Sequence, residues 1–483
     1  MSLVFVGDWI FCMQKIIISN FGPVKSADID IKQFLILIGE QASGKSTTAR
    51  LIYFFKKIPY DLIQHVLEIK NEISKDYKDL NTTLHSIIQK KFLNYFGAVW
   101  DVPDFNIKYY YDFKSDKSIT ISHTLSQRIT IIISPSLLKD KTEELDKTIK
   151  ELLTLDIFTD IPGPSKVRFD SLYTNFVLLL KEKFGYHHDN YLYIVEGRNA
   201  TVSYSSIFEN YLFADLQNRR NSPGVQSNSY HNFDYKSINE ILMLEFIRRI
   251  YKIKEFFKKY ENFERALVLL SDNDTKLPVL RKLIESIEKI IKGKFTSDNA
   301  GEKINFGDNN EQFVYLSDAS SGQKESIRIL QDLFFTVLTN ESFHRIIEEP
   351  EAHLFPLAQK QTIELFAQAL NTNKNNNLIL TTHSPYILTS VNNLLLASKI
   401  KQKFPSSSEM VDQIIPSEFH FSSENTGVYA LGYSKEQFCK PILDVKTGMI
   451  EQNYLDAVSD SLAGEFDRLY TLYVKLLRTN DVK

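Results

Sequence analysis

The chain is short of thiols: only Cys12 and Cys439 occur in 483 residues. Two cysteines are too few for a disulfide framework or a cysteine-rich zinc site, so a reducing compartment is expected. Excess charge of one sign is lacking too, with a formal net charge of −3. That gives no electrostatic reason for tight, whole-surface binding to nucleic acid, although local basic patches remain open. No window approaches the roughly 18 consecutive apolar residues of a membrane span. The opening MSLVFVGDWIFCMQKIIIS carries Asp8 and Lys15 and lacks a basic segment followed by a cleavage site, so it does not read as a signal peptide. A cytoplasmic location is expected, with Met13 a candidate start and residues 1–12 an upstream extension. Apolar residues at 43% and charged residues at 24% are ordinary for a globular chain. The length suits two to four domains, or one large domain carrying an insertion.

What is present is strand and helix in a definite order. QKIIIS and FLILI flank an alternating stretch with Asp28, Asp30 and Lys32, which predicts a hairpin leading into a buried central strand. Helical character is expected from Ser46 to about Lys57. DFNIKYYYDF, SITISHTL and RITIIIS predict a small antiparallel meander over 104–134. Between about 138 and 300 the period turns helical, most plainly at Ile238, Leu242, Phe246, Ile250, Ile253, Phe257 and Tyr260, and again at Leu280, Ile284, Ile287 and Ile291. Residues 216–235 are polar and aperiodic and read as a surface loop. After 310, strand-like FVYLS, HRIIEE, NLILTTHS and SEFHFSS with helices between the runs predict a mainly parallel sheet. The two α/β parts, 13–137 and 301–483, are expected to form one head split by a mainly helical insertion, 138–300.

Four motifs carry chemistry. Gly39-Glu-Gln-Ala-Ser-Gly44-Lys45-Ser46 matches GxxxxGK[ST] between an expected strand and helix. Glycines there let backbone N–H groups turn toward phosphate oxygens, at a helix N-terminus that favours anions. Lys45 would reach the β- and γ-phosphates of ATP, and the Ser46 hydroxyl would ligate Mg²⁺. Ser320, Ser321, Gly322 and Gln323 open a second helix, either as an anion site or as a plain N-cap with Glu325 in its first turn. HRIIEEPEAHLFP ends an apolar run on Glu348 and Glu349. Such a pair is elsewhere a solvated face; here the first could hold the Mg²⁺ hydration shell and the second polarise an attacking water. NLILTTHS ends on His383, which is either structural or a sensor of the γ-phosphate.

In this order the motifs resemble the ABC-type ATPases of the branch containing Rad50, the SMC and RecF proteins and the OLD ATPases, over roughly residues 13–135 and 300–400. The resemblance implies an α/β, ABC-type P-loop ATPase head: a mixed, mainly parallel sheet with an antiparallel β subdomain. It places the Walker A role on Gly39, Gly44, Lys45, Ser46 and Thr47, and the signature on Ser320, Ser321, Gly322 and Gln323. Walker B falls on Glu348, the catalytic glutamate on Glu349, the dimer-facing loop on residues 351–353 and the switch on His383. It also implies that two heads sandwich ATP, Ser320 and Gly322 of one closing over nucleotide held by Lys45 of the other, in a homodimer or higher oligomer.

Departures from the family pattern shape the rest of the reading. Glu348 stands where an aspartate is usual, a change the OLD-like branch shares. The Mg²⁺-binding glutamine loop has only Gln127 as a candidate, against a plain surface strand position. Arg198, in YIVEGRNA, is either a nucleotide or interface contact or neither. No CxxC zinc hook is present and the insertion is too short for long arms. Residues 384–483 hold no DxD carboxylate pair of the Toprim kind, so nuclease activity is not expected in this chain. The remainder, including IEKIIKGKF and residues 443–470, resembles stand-alone OLD-like ATPase subunits of two-gene anti-phage systems such as PARIS and Septu. That implies a separate nuclease effector and a phage-derived trigger, with no membrane partner. The alternative is a RecF- or Rad50-like repair ATPase, whose DNA contacts would come from Arg248, Arg249, Lys252, Lys258 and Lys259, or from Arg219 and Arg220.

Overall fold

Every side chain of the run Phe34–Ile38 is buried. A strand with no exposed face needs cover on both sides, which a parallel sheet between helices provides. The computed structural model describes residues 13–71, 77–97, 103–124, 127–155, 164–185, 190–203, 238–270, 277–307, 312–451 and 469. Its first strands are β1 (Gln14–Phe21), β2 (Val24–Ile31), β3 (Phe34–Ile38), β4 (Phe105–Asp112), β5 (Lys117–Thr124) and β6 (Gln127–Ile133). The middle of the chain supplies β7 (Tyr191–Ile194), β8 (Lys294–Asp298), β9 (Gly301–Phe306) and β10 (Gln312–Tyr315). Last come β11 (His344–Glu348), β12 (Asn377–Thr382), β13 (Thr426–Leu431) and β14 (Cys439–Pro441).

The central sheet has the order β14-β13-β3-β12-β11-β7. All neighbours from β13 to β7 pair in parallel, and β14 closes one edge antiparallel. Alternation along β3 divides the interior: Leu35 and Leu37 join one apolar core, while Phe34, Ile36 and Ile38 join the other. The first core lies toward the antiparallel sheet β2-β1-β4-β5-β6 and the helix Lys45–Asn71. The second is filled by the helices Ile238–Tyr260, Leu277–Ile291, Ser321–Leu338, Pro356–Asn371 and Pro385–Lys403. Pairing of β3 with β12 and β13 unites the two ends of the sequence in one mixed α/β sheet.

The apolar stripe of the helix Ile238–Tyr260 faces inward as its period requires, with Leu242, Phe246, Ile250, Ile253 and Phe257 buried. Each such side chain contributes about 1.5–3 kcal/mol relative to exposure. Four expectations need correction. The helix that starts at Lys45 runs on to Asn71, through Pro59, because Leu62, Ile63, Val66 and Ile69 continue its buried face. SEFHFSS is not a strand: its start is a short 3₁₀ turn, Ser417–Phe419, and Phe421 stacks flat on Phe34 at 4.3 Å between ring centroids. The strand is β13 instead. FVYLS forms β10 in a separate antiparallel sheet, β10-β9-β8, and not in the central one. Within 138–300, otherwise rich in helix, β7 enters the central sheet beside β11. Residues 216–235 lie outside the described residues.

Lys56 supplies a stability prediction. Its ammonium is buried and donates to Gln14 Oε1 at 2.7 Å, and burial pulls its pKa down to about 7. Between pH 7 and the unfolded value near 10.5 the unfolded chain binds more protons, so this group makes stability rise with pH across that window. Lys56→Met removes the cost of burying the charge, and Gln14 keeps the Tyr109 hydroxyl. The variant is expected to gain at both pH values, by on the order of 1–2 kcal/mol more at pH 6 than at pH 9, where part of the cost persists because the unfolded lysine still binds its proton; denaturant unfolding at both pH values reads the difference.

Candidate active site

Because β3, β12, β11 and β7 run parallel, their C-terminal ends emerge side by side, and ligands of open α/β sheets bind at such ends. From β3 the chain turns through residues 39–44 into the helix that begins at Lys45. The turn depends on glycine. Gly39 has φ 157°, and a Cβ there would lie 2.3 Å from the Leu431 carbonyl oxygen; Gly44 has φ 88°, and its Cβ would lie 2.6 Å from Val24 Cγ2. Ala42 also takes a positive φ, 59°. Lys45 folds back over this turn, its buried Nζ donating to the carbonyls of Gly39 at 2.9 Å and Glu40 at 2.8 Å. Burial lowers the Lys45 pKa, against the opposing pull of Glu349, Glu351, Glu196 and Glu348. Ser46 and Thr47 are half-buried at the helix start.

β11 ends on Glu348, which is buried and held from three directions. Its Oε1 accepts from the Tyr193 hydroxyl at 2.7 Å and Arg50 Nη2 at 3.3 Å, and its Oε2 from the Glu196 N–H at 3.2 Å. Next, Glu349 donates its N–H to the Thr381 carbonyl of β12 and leaves the strand at φ 42°. A left-handed non-glycine residue costs about 1–3 kcal/mol and is held there only by its surroundings. Glu349 Oε1 lies 2.6 Å from His383 Nε2, and His383 Nδ1 lies 3.4 Å from Lys45 Nζ. The ring therefore bridges the loop lysine and the second glutamate, with its proton assigned to Nε2 by these partners. Burial first, then Glu196, raises the Glu349 pKa, while His383 opposes the rise.

The helix Ser321–Leu338 starts with Ser320 as N-cap in a reciprocal capping box with Gln323. The N-cap reading is the one the structure shows, and the cap leaves Ser320 and Ser321 exposed. Gln323, expected at nucleotide, is committed inside the chain: Oε1 accepts from Ser320 N at 3.0 Å and Nε2 donates to Ile291 O at 2.7 Å. Glu325, expected in the first turn, is the fifth residue of this helix and is buried. Gly322 is packed so closely that a Cβ would meet the His353 carbonyl oxygen at 2.7 Å. The loop through His353 is followed by exposed Phe355 and Leu357, while Glu351 turns inward to accept from Thr382 Oγ1 and the His383 N–H.

Arg198 is closed off from solvent inside the chain. It is fully buried, and its donors go to the carbonyls of Val195, Glu348 and Glu349 and to Glu325. Gln127 opens β6, one of the two edge strands of the five-stranded sheet. Of the proposed DNA contacts, Arg249 bonds Asp332 and Thr336, Lys258 pairs with Glu255, and Lys259 lies over Tyr260. Arg248, Arg249 and Lys252 line a cavity of about 510 Å³ whose wall also carries Lys57 and Lys91, together with Asp61, Glu68 and Glu245. Arg219 and Arg220 lie outside the described residues. Sequence reasoning missed Arg50, Tyr193 and Glu196, and the one signal available was an apolar run, YLYIV, ending in a carboxylate like HRIIE.

The residues present fit ATP with Mg²⁺. The loop leaves no room for side chains at Gly39 and Gly44, its lysine is buried among carboxylates, and Ser43 Oγ and Thr48 Oγ1 are buried without partners. Among the described residues no group of three or more His, Cys, Asp or Glu forms a metal cage. Mg²⁺ in nucleotide sites is held largely by phosphate oxygens and water. Ser46 would be the direct protein ligand. Glu348 accepts three hydrogen bonds of about four that a carboxylate takes, leaving one for a water of the ion.

A parallel sheet with a glycine loop on one strand, paired glutamates on another and a histidine between them defines an ABC-type P-loop ATPase head. The chain belongs to the AAA ATPase domain family, whose model matches residues 13–388. Among solved structures it is similar to an SMC head bound to the C-winged helix domain of ScpA, at 11% identity and TM-score 0.32, over 78% of this chain and 91% of that one. It is similar also to the SMC head of Thermotoga maritima, at 9% identity and TM-score 0.31, over 79% and 92%. A third is the SMC head with an extended coiled coil bound to the C-terminal domain of ScpA derived from Pyrococcus furiosus, at 12% and 0.31, over 78% and 91%. Likeness at this level adds nothing to the assignment. No curated protein matches the chain. No helix among the described residues is long and apolar enough to cross a membrane.

Proposed function

We propose that this ATPase works as the sensor and scaffold subunit of a bacterial anti-phage complex, in which nucleotide-linked pairing of two heads controls a separate nuclease effector. The observation that carries the ATPase part is the network Lys45, His383 and Glu349, drawn from three parallel strands to one point. In the reading, Lys45 holds the β- and γ-phosphates and Glu349 takes a proton from the attacking water, with His383 orienting it. Exposed Ser320 and Ser321, beside exposed Phe355 and Leu357, give a second head a surface to close on. Pairing then depends on nucleotide, which makes the head a switch. The defence role rests on the resemblance of its motifs to OLD-like subunits, Glu348 in the aspartate place among them. A competing repair ATPase would need a basic DNA-binding face: Arg249 and Lys258 pair with acids, whereas Arg248 and Lys252 share a cavity wall with Lys57 and Lys91 as well as Asp61, Glu68 and Glu245.

Native mass spectrometry of the tagged protein, expressed with its flanking genes and purified with and without Mg-ATP, tests the reading. A stable assembly with a nuclease is expected. A bare protein that pairs with ATP and retains DNA in a salt-sensitive manner would overturn it in favour of repair.

A further inference from the structure

Arg198 and Glu325 form a buried charge pair that no nucleotide role requires. Arg198 stands four residues beyond the end of β7 and has no solvent exposure. Its Nη1 donates to the Glu348 carbonyl at 2.8 Å and the Val195 carbonyl at 3.2 Å, and its Nη2 to the Glu349 carbonyl at 2.9 Å. Its Nε donates to the Glu325 carbonyl at 3.0 Å and lies 3.3 Å from Glu325 Oε2. One guanidinium thus joins the backbone of both glutamates at the end of β11 to the helix that carries the exposed serines. A planar fork of five donors suits this task; a lysine ammonium could not span the same carbonyls.

The link matters because of where the Glu349 backbone stands. Its φ of 42° aims the side chain at His383, and only its surroundings keep it there. The Thr381 carbonyl fixes its N–H and Arg198 fixes its carbonyl. Close packing of Gly322 on the His353 carbonyl is a second tie between the same two segments. From this geometry we infer that Arg198 is a positioning residue for ATP hydrolysis, transmitting the placement of the Ser321–Leu338 helix to the Glu349 side chain through its pair with Glu325. The inference rests on the ATPase reading above. Closure of a partner head on Ser320 and Ser321 would then set the glutamate of the same chain, so turnover is tied to pairing.

Three variants of the full chain test it: Arg198→Lys, Glu325→Gln, and the double variant Arg198→Gln with Glu325→Gln. The double change removes both buried charges together, which proteins tolerate better than the loss of one. Each is measured for binding of a fluorescent ATP analogue, for circular dichroism, and for kcat and KM with Mg-ATP. Expected is a fall in kcat of at least about tenfold with KM and nucleotide affinity within about threefold of the parent, the mark of a placement effect. Equal turnover in any variant that binds nucleotide would overturn the inference. So would a loss of turnover that only follows a loss of folded, nucleotide-binding protein in all three. Absence of hydrolysis by the unmutated chain would instead refute the ATPase reading, so the two failures are told apart.

Discussion

Glu349→Gln is expected to bind ATP as the parent does and to hydrolyse it about 10²–10⁴-fold more slowly, the range a positioned general base contributes. The amide has the shape of the carboxylate and can still accept from His383 Nε2, which lies 2.6 Å from Glu349 Oε1. The fold around it stays because the strained turn is held by backbone groups, the Thr381 carbonyl and Arg198, and not by the side chain. What disappears is basicity. Burial and the nearby Glu196 raise the Glu349 pKa, making it a stronger base than a surface carboxylate. Single-turnover phosphate release measures the effect, and hydrolysis at the parental rate would remove Glu349 from its role.

Lys45→Ala is expected to lose nucleotide altogether in practical terms, with affinity falling by about 10²-fold or more, from charged hydrogen bonds worth roughly 1.5–3 kcal/mol each. Four carboxylates act on this ammonium, those of Glu349, Glu351, Glu196 and Glu348. Without the cation they repel the phosphates that the loop is shaped to receive. The Gly39 and Glu40 carbonyls lose their donor, the Gly39 one in a buried bond, a cost of about 1–3 kcal/mol that a large domain tolerates. The variant should therefore fold. Titration with a fluorescent ATP analogue checks this, and a dissociation constant within threefold of the parent would contradict the site.

The residues at the heart of the site were legible because each sits at the end of a short apolar run: Gly39 after FLILI, Glu348 closing HRIIE, His383 after NLILTT. Such runs announce buried parallel strands, and a polar residue at their ends falls at the ligand edge of the sheet. Tyr193, Glu196 and Arg198 were not legible in the same way. Their roles depend on β7 lying beside β11, a pairing across some 150 residues that no local pattern reports. The burial of Glu325 was not legible either, since it goes with a pairing to Arg198 from a distant part of the chain. β13 was missed because TGVYAL begins with threonine and glycine, whereas SEFHFSS alternates as a strand would. Its Phe421 serves packing on Phe34 instead.

The central claim is that ATP joins two heads. The most direct measurement is the solution mass of the Glu349→Gln protein with Mg-ATP, with Mg-ADP and without nucleotide, by light scattering after size exclusion. A doubling of the protomer mass, or of the mass of a pre-existing assembly, with Mg-ATP alone is the predicted result, abolished by adding Lys45→Ala. The same mass in all three conditions, with ATP demonstrably bound, would contradict the account.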